Sequence, residues 1–291
     1  MTAFDLSLLP ASATVDGAGQ LSIGGVGVTE LARRFGTPCY VYDETEIRDR
    51  CRAYRERFGE GAAYASKAFL CVAMARLVHE EGLHLDVATG GELFVALRSG
   101  FPPGRIVFHG NNKSVEELRA ALANGVGRIV VDSDEEVQRL EALVAEGLPS
   151  PRVQVRVKPG VEAHTHEHIE TGSEDSKFGF SPDRALAAAR RIIEGEAATF
   201  AGLHCHIGSH VFRLDDFARA VDKMVGVIQA IEETGAAVGE LNLGGGLGVR
   251  YVADDAPPTI DEYASVVHES VAKSLAQAGV RSRPLLMTEP G

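Results

Sequence analysis

Short apolar runs ending in glycine or a polar residue alternate along most of the chain with longer stretches whose apolar residues recur every three to four positions. The first pattern predicts strands buried on both faces, and the second predicts amphipathic helices. Eight strand candidates stand out: AAYASK at 62–67, HLDVAT at 84–89, RIVFHG at 105–110, RIVVDS at 128–133, RVQVRVKP at 152–159, FAGLHCHIG at 200–208, ELNLGGG at 240–246 and PLLMTEP at 284–290. The helical stretches between them include SVEELRAALANG, DEEVQRLEALVAEG and SPDRALAAARRIIEG, each stopping at glycine. Ser114 and Glu117 have the spacing of a capping box.

Strands alternating with helices imply a parallel sheet with right-handed crossovers. Eight of them in about 230 residues fit an α/β (β/α)8 TIM-type barrel better than an open doubly wound sheet. Residues 1–43 are rich in glycine and lack the repeat, so they read as an N-terminal appendage, with the barrel over 44–291. The sequence stops at Glu289-Pro290-Gly291, directly after the eighth strand, where a barrel would need one more helix. The expectation is a barrel truncated after strand eight.

Composition narrows the partners. Of 291 residues, 45% are hydrophobic and 24% charged, as in ordinary globular proteins, and 29 basic against 41 acidic residues give a formal charge of −12. That excess argues against a nucleic-acid backbone or an anionic membrane as partner. Cys39, Cys51, Cys71 and Cys205 form no CxxC pair, which disfavours a disulfide framework or structural zinc. The N-terminus lacks a basic n-region, and there is no run of about 18 apolar residues. Cytoplasm is the expected compartment.

Chemistry gathers where a barrel puts its active site, at the C-terminal ends of the strands. Strand one ends in Lys67, which alone reads as a strand-end lysine snorkelling to water. Strand two carries Asp86, with Glu92 beyond it, and strand three ends in His109, Asn111, Asn112 and Lys113. Strand five offers Arg156 and Lys158, strand six HCHIGSH, strand seven the Gly244-Gly245-Gly246 run and strand eight Glu289. Three glycines alone only suggest a turn, but barrels commonly bind phosphate through backbone amides after strand seven, and Ser209 can join from strand six. His206, just before a Gly-Ser turn, suits a flat ring lying over a ligand. An amine for an aldehyde, a phosphate cradle, a planar histidine and a carboxylate for a ring nitrogen together describe a site for pyridoxal 5′-phosphate.

The stretches YASKAF, HGNNKS, EAHTHEHIETGSEDSKFGFS, LHCHIGS, LNLGGGLGVRY and EPG resemble bacterial diaminopimelate decarboxylases, of the fold-type III, alanine-racemase-like enzymes. The similarity runs from about residue 25 to the end. It implies decarboxylation of meso-2,6-diaminopimelate to L-lysine and CO2, the last step of lysine biosynthesis, with Lys67 bonded to pyridoxal 5′-phosphate. It further implies that His206 stacks on the ring, Ser209 and Gly244, Gly245 and Gly246 hold the phosphate, and Glu289 partners the ring nitrogen. Asp86 and Glu92 match acidic residues near the cofactor, and Pro290 and Gly291 complete the EPG motif. An amino-acid substrate, a homodimer with shared active sites and a C-terminal β-domain, missing here and associated with residues 1–43, are implied as well. His210 stands where glutamine is expected, and Lys158 where asparagine is commoner. Burial is expected to lower the Lys67 pKa.

Other readings compete. A related pyridoxal-dependent decarboxylase of another basic amino acid shares the lysine and glycine motifs, and a non-catalytic barrel that merely carries the cofactor needs no more than these. A metal-dependent hydrolase is suggested by His164, His166 and His168 at alternating positions near Glu162. Because that cluster follows strand five rather than an early strand, the site residues are expected to bind no metal.

Overall fold

The computed structural model describes residues 6–161 and 178–291. Residues 14–27 form a small antiparallel sheet of β1 (Thr14–Val15), β2 (Leu21–Ile23) and β3 (Val26–Gly27), followed by α1 (Val28–Phe35). Then α2 (Glu44–Phe58) leads into the repeat: β4 (Ala63–Ala65), α3 (Val72–Glu80), β5 (His84–Val87), α4 (Gly90–Ser99), β6 (Ile106–Phe108), α5 (Val115–Ala123), β7 (Arg128–Val131) and α6 (Asp134–Ala145). It continues with β8 (Arg152–Arg156), α7 (Pro182–Glu194), β9 (Thr199–His204), α8 (Leu214–Glu232), β10 (Glu240–Asn242), α9 (Ile260–Gln277) and β11 (Leu285–Met287). β4 to β11 lie in sequence order in one sheet, each pairing parallel to the next. The sheet closes on itself: Ala63 N donates to Thr288 O at 2.9 Å, Thr288 N to Gly61 O at 2.9 Å and Ala65 N to Pro290 O at 2.7 Å. This is the expected barrel.

Three of the helices start at capping boxes. Ser114 and Glu117 make the predicted box at the start of α5, and Thr89–Glu92 and Thr259–Glu262 do the same for α4 and α9. Along α8, Phe217, Ala220, Val221, Met224, Val225, Ile228 and Ile231 recur at helical spacing and are all buried. They join outward-facing strand residues such as Leu85, Val87, Phe108, Ile129, Val155, Leu203 and Leu241 in one continuous core that runs around the barrel. Each fully buried Leu or Ile there contributes roughly 1.5–3 kcal/mol.

The helix over the closing seam is α2, which comes before the first barrel strand. α2 lies between α3 and α9, with Phe58 5.8 Å from Tyr263, ring to ring, and Arg57 paired to Asp261 at 2.7 Å. The helix before the first strand therefore covers the seam that a helix after the last strand usually covers. Its signal was hidden by its heavy charge; only Cys51, Tyr54 and Phe58 of its 15 residues are buried.

Inside the barrel the period of two puts alternate strand residues in layers. The middle layer holds a small apolar plug of Val107, Val130 and Met287, separate from the outer core. Below it, at the N-terminal ends, Arg128 makes two bonds of 2.8 Å to Glu240, which also accepts from Arg152 at 2.6 Å and Gln154 at 2.7 Å. Above it stand the groups at the C-terminal ends. Interior polarity thus flanks a thin apolar layer on both sides.

Candidate active site

β4 ends in a 3-10 turn, Ser66–Ala68, that carries Lys67 to the C-terminal mouth. Lys67 is exposed, contrary to the expected burial, because the strand ends at Ala65 and the turn lifts the side chain past the rim. Its charge still acts on Asp86 and His206. The small residues before it, Ala63, Ala65 and Ser66, are buried, and Ser66 Oγ has no hydrogen-bond partner among the described residues. Asp86, on the neighbouring strand, is the carboxylate that the Lys67 charge acts on, in line with its expected place near the cofactor.

Glu289 is the hub. Its Oε1 accepts from His109 Nε2 at 2.8 Å and Asn242 Nδ2 at 2.6 Å, and its Oε2 from His204 Nε2 at 3.2 Å. Burial pushes this carboxyl up, but the imidazoles of His109 and His204 outweigh burial and hold it well below the carboxylate range. Asp86 lies 3.7 Å from His109 on the other side. There burial wins over the pull of His109, and Asp86 is pushed up to about 7. His109, between two carboxylates, is raised despite its own burial, through Asp86 first and Glu289 second. Burial lowers His204 to about 4, and its Nδ1 has no partner among the described residues. Burial and then the Lys67 charge hold His206 well below the usual range, so its ring is neutral.

The glycine run is built by close backbone approach. A Cβ on Gly245 would sit 2.1 Å from the Glu289 carbonyl oxygen, and one on Gly246 2.0 Å from that of Gly208. Gly244 and Gly246 pack against the His206 ring. Val211 N to Gly246 O at 2.8 Å and Gly248 N to Val211 O at 2.9 Å lace this loop to the one after β9, where Ser209 is exposed. Among the described residues the Gly245 and Gly246 amides donate to nothing. Pro290 and Gly291 lie against β4 at the closing seam. A cavity of about 600 Å³ opens beside the loop, lined by Tyr42, Tyr64, Phe69, Gly245, Gly246 and Pro290 among others. Neither Lys67 nor Glu289 lines it, so it flanks the polar cluster rather than containing it.

Several expectations gain a different meaning. Glu92 caps α4, accepting from Ala88 N at 2.6 Å and Thr89 N at 3.1 Å. The HGNNKS lysine, Lys113, is buried and bonds Gly110 O at 2.6 Å, Val130 O at 2.8 Å and Glu136 at 2.6 Å, which pins the loop after β6. Arg156 stacks on Phe178 at 4.7 Å and faces Asp132 at 3.8 Å. His210 adopts a left-handed φ of 62° and meets Phe212 edge-on. Glu162, His164, His166, His168 and most of the TGSEDSKFGF stretch lie outside the described residues. Sequence reading gave no role to His109, His204 or Asn242. The period of two was the available signal: His204 and Asn242 lie two residues before His206 and Gly244, on the same inward face.

His109, His204 and Glu289 place three donor atoms within 4.8 Å of one another, the spacing of a metal site. Both imidazoles already aim an N–H at the carboxylate, however.

Comparison with known proteins identifies the organic cofactor instead. A family model described as pyridoxal-dependent decarboxylase, pyridoxal binding domain, matches residues 44–291. Diaminopimelate decarboxylase of Mycobacterium tuberculosis is 46% identical over 291 residues, covering 97% of this chain and 65% of that protein. The Bacillus subtilis enzyme of that name is 45% identical over 281 residues, covering 94% and 64%. Among solved structures, diaminopimelate decarboxylase from M. jannaschii in co-complex with L-lysine superposes with a TM-score of 0.87 at 32% identity, over 97% of this chain and 66% of that one. The chain therefore spans just under two thirds of the length of such relatives. The site fits the cofactor these comparisons imply: amides without a partner among the described residues in a loop too tight for any side chain, buried Ser66 Oγ and His204 Nδ1 likewise unpartnered there, an accessible amine and a carboxylate kept ionised. The chain belongs to the pyridoxal-dependent decarboxylases.

Proposed function

We propose that this chain supplies the cofactor-binding barrel of a diaminopimelate decarboxylase. The reaction converts meso-2,6-diaminopimelate to L-lysine and CO2, a proton replacing the departing carboxylate on the same carbon. The observation that carries the reading is the convergence of Lys67, the Gly244–Gly246 loop and an ionised Glu289 at one barrel mouth. The relatives' name and the L-lysine bound to the M. jannaschii neighbour support the substrate.

Pyridoxal 5′-phosphate held here would supply the electron sink that decarboxylation needs. Lys67 is the residue that bonds to it covalently. The amides of Gly245 and Gly246, with Ser209, hold the phosphate. His206, neutral and packed on the glycine loop, presents a flat face to the ring. Glu289, kept as a carboxylate by His109 and His204, accepts the ring N–H and keeps that proton in place. Asp86, near both Lys67 and His109, titrates near neutrality and is suited to hold or release a proton beside the lysine amine. Pro290 and Gly291 hold the rim against β4.

We propose further that the protein acts as a homodimer in the cytoplasm. Exposed Phe35, Tyr40 and Tyr251 offer apolar surface for a second copy, and all four cysteines are free. Among the described residues no helix is long and apolar enough to cross a membrane. The function is tested by supplying meso-2,6-diaminopimelate to the full-length polypeptide loaded with pyridoxal 5′-phosphate. Release of L-lysine and CO2 in equal amounts is expected, and turnover of ornithine or arginine in its place would redirect the assignment.

A further inference from the structure

Asn242 is fully buried at the end of β10, and every polar function of its side chain is engaged. Nδ2 donates to Glu289 Oε1 at 2.6 Å and to Gln154 Oε1 at 3.3 Å, while Oδ1 accepts from Gly244 N at 3.0 Å. One rigid planar amide thus bridges the carboxylate that ends the barrel and the first glycine of the loop. These are the two ends of the site assigned above to the ring nitrogen and the phosphate. A second tie runs in parallel, from Glu289 N to Gly244 O at 2.8 Å.

The direction of that amide is set from below. Glu240 at the floor is an acceptor only, so Gln154 turns its NH2 to it at 2.7 Å and leaves its oxygen facing Asn242. Asn242 must then turn its own NH2 toward Gln154 and Glu289, and its oxygen toward Gly244. Arg128 and Arg152 hold Glu240 ionised by charge-assisted bonds, although burial opposes this. A donor–acceptor order therefore runs from the floor ion cluster, beside the apolar plug, to the mouth.

We propose that Asn242 is a positioning residue that fixes the span between Glu289 and the glycine loop, and that Gln154 and Glu240 dictate which way its amide faces. The inference rests on the function proposed above. Asn242→Asp keeps the shape and the acceptor for Gly244 but puts a second carboxylate oxygen against Glu289, so that one of the two must hold a proton. Gln154→Met keeps the volume and removes the orienting acceptor.

Two measurements decide the matter. In the protein without cofactor, the 15N shifts of His109, which shares Glu289 Oε1, follow its titration. Asn242→Asp is expected to shift that titration by half a pH unit or more, because the shared proton redistributes the negative charge that His109 faces at Glu289 Oε1. In equilibrium binding, Asn242→Asp is expected to weaken pyridoxal 5′-phosphate at least tenfold and to narrow its preference over pyridoxal, which lacks the phosphate. Gln154→Met is expected to weaken it three- to tenfold. A folded Asn242→Asp with an unmoved His109 titration and both affinities within twofold of the parent overturns the proposal. Should Asn242→Asp fail to fold by circular dichroism, Gln154→Met decides alone, and an unchanged preference overturns it. Should the parent protein bind neither compound, the function falls, and the His109 shift alone decides whether Asn242 acts on Glu289.

Discussion

The two ends of the barrel hold buried charge in opposite ways. At the floor, Arg128, Arg152 and Gln154 surround Glu240, and each bond is 2.6–2.8 Å long. At the mouth, Asp86, His109, His204 and Glu289 stand within a few ångströms, two carboxylates against two imidazoles, with His204 Nδ1 and Ser66 Oγ unpartnered among the described residues. The floor is neutralised by permanent guanidinium charges, so its protonation is locked. The mouth is balanced by groups that titrate, so its proton positions respond to whatever arrives. The plug of Val107, Val130 and Met287 lies between them, with the Gln154 and Asn242 amides running beside it. The same layer pattern thus serves stability at one end and chemistry at the other.

The sharpest way to break this contrast is to remove the lysine at the mouth. Lys67→Ala is expected to lower turnover by about 10³-fold or more while leaving the thermal midpoint within a degree or two, since the side chain is exposed. Steady-state kinetics and calorimetry on one preparation check both halves. Arg128→Met should do the reverse. Stripping Glu240 of its bidentate partner is expected to cost about 3–5 kcal/mol in urea unfolding, with the cofactor's absorbance unchanged in whatever remains folded. Next comes the cradle. A Cβ on Gly245 cannot coexist with the Glu289 carbonyl, so Gly245→Ala is expected to weaken pyridoxal 5′-phosphate binding about 10–100-fold, read by fluorescence titration.

The pH dependence of folding is a smaller effect with a definite sign. His204 falls from 6.5 to about 4 in the folded chain, so between those values the unfolded chain binds more protons and stability drops as pH falls. His206 acts in the same direction. Asp86, raised to about 7, works oppositely: the folded chain binds its proton more tightly, and stability drops as pH rises from about 4 to 7. Each group contributes at most about 1.4 kcal/mol per pH unit. Urea unfolding from pH 4.5 to 7 is therefore expected to show a flatter rise in His204→Gln and a steeper one in Asp86→Asn. Equal slopes in all three proteins would contradict the assignment. At the low end, surface pairs such as Arg184–Asp134 are expected to matter by less than about 0.5 kcal/mol.

All eight strands were legible, because strands buried on both faces read as unbroken apolar runs. Their ends were drawn up to four residues too far, as in 240–246 against β10 at Glu240–Asn242. Glycines and polar residues that belong to the mouth loops had been counted as strand. Lys67, His206, Glu289 and the glycine run stand out in the sequence only by position at strand ends, which topology alone supplies. The hub around Glu289 was not. Hydrogen bonds from His109 and Asn242 span 180 and 47 residues, and no local pattern reports such distances. Glu92 and Lys113 were placed at the right address, yet they cap a helix and pin a loop, since a strand end also has backbone groups to satisfy.

The central claim is that Lys67 is the chain's covalent anchor for its cofactor. The protein loaded with pyridoxal 5′-phosphate can be reduced with borohydride, digested and mapped by mass spectrometry. The account predicts loss of the near-visible absorbance band and a pyridoxyl group on the peptide carrying Lys67. A pyridoxyl group on another lysine, or full occupancy with no lysine modified, would contradict it.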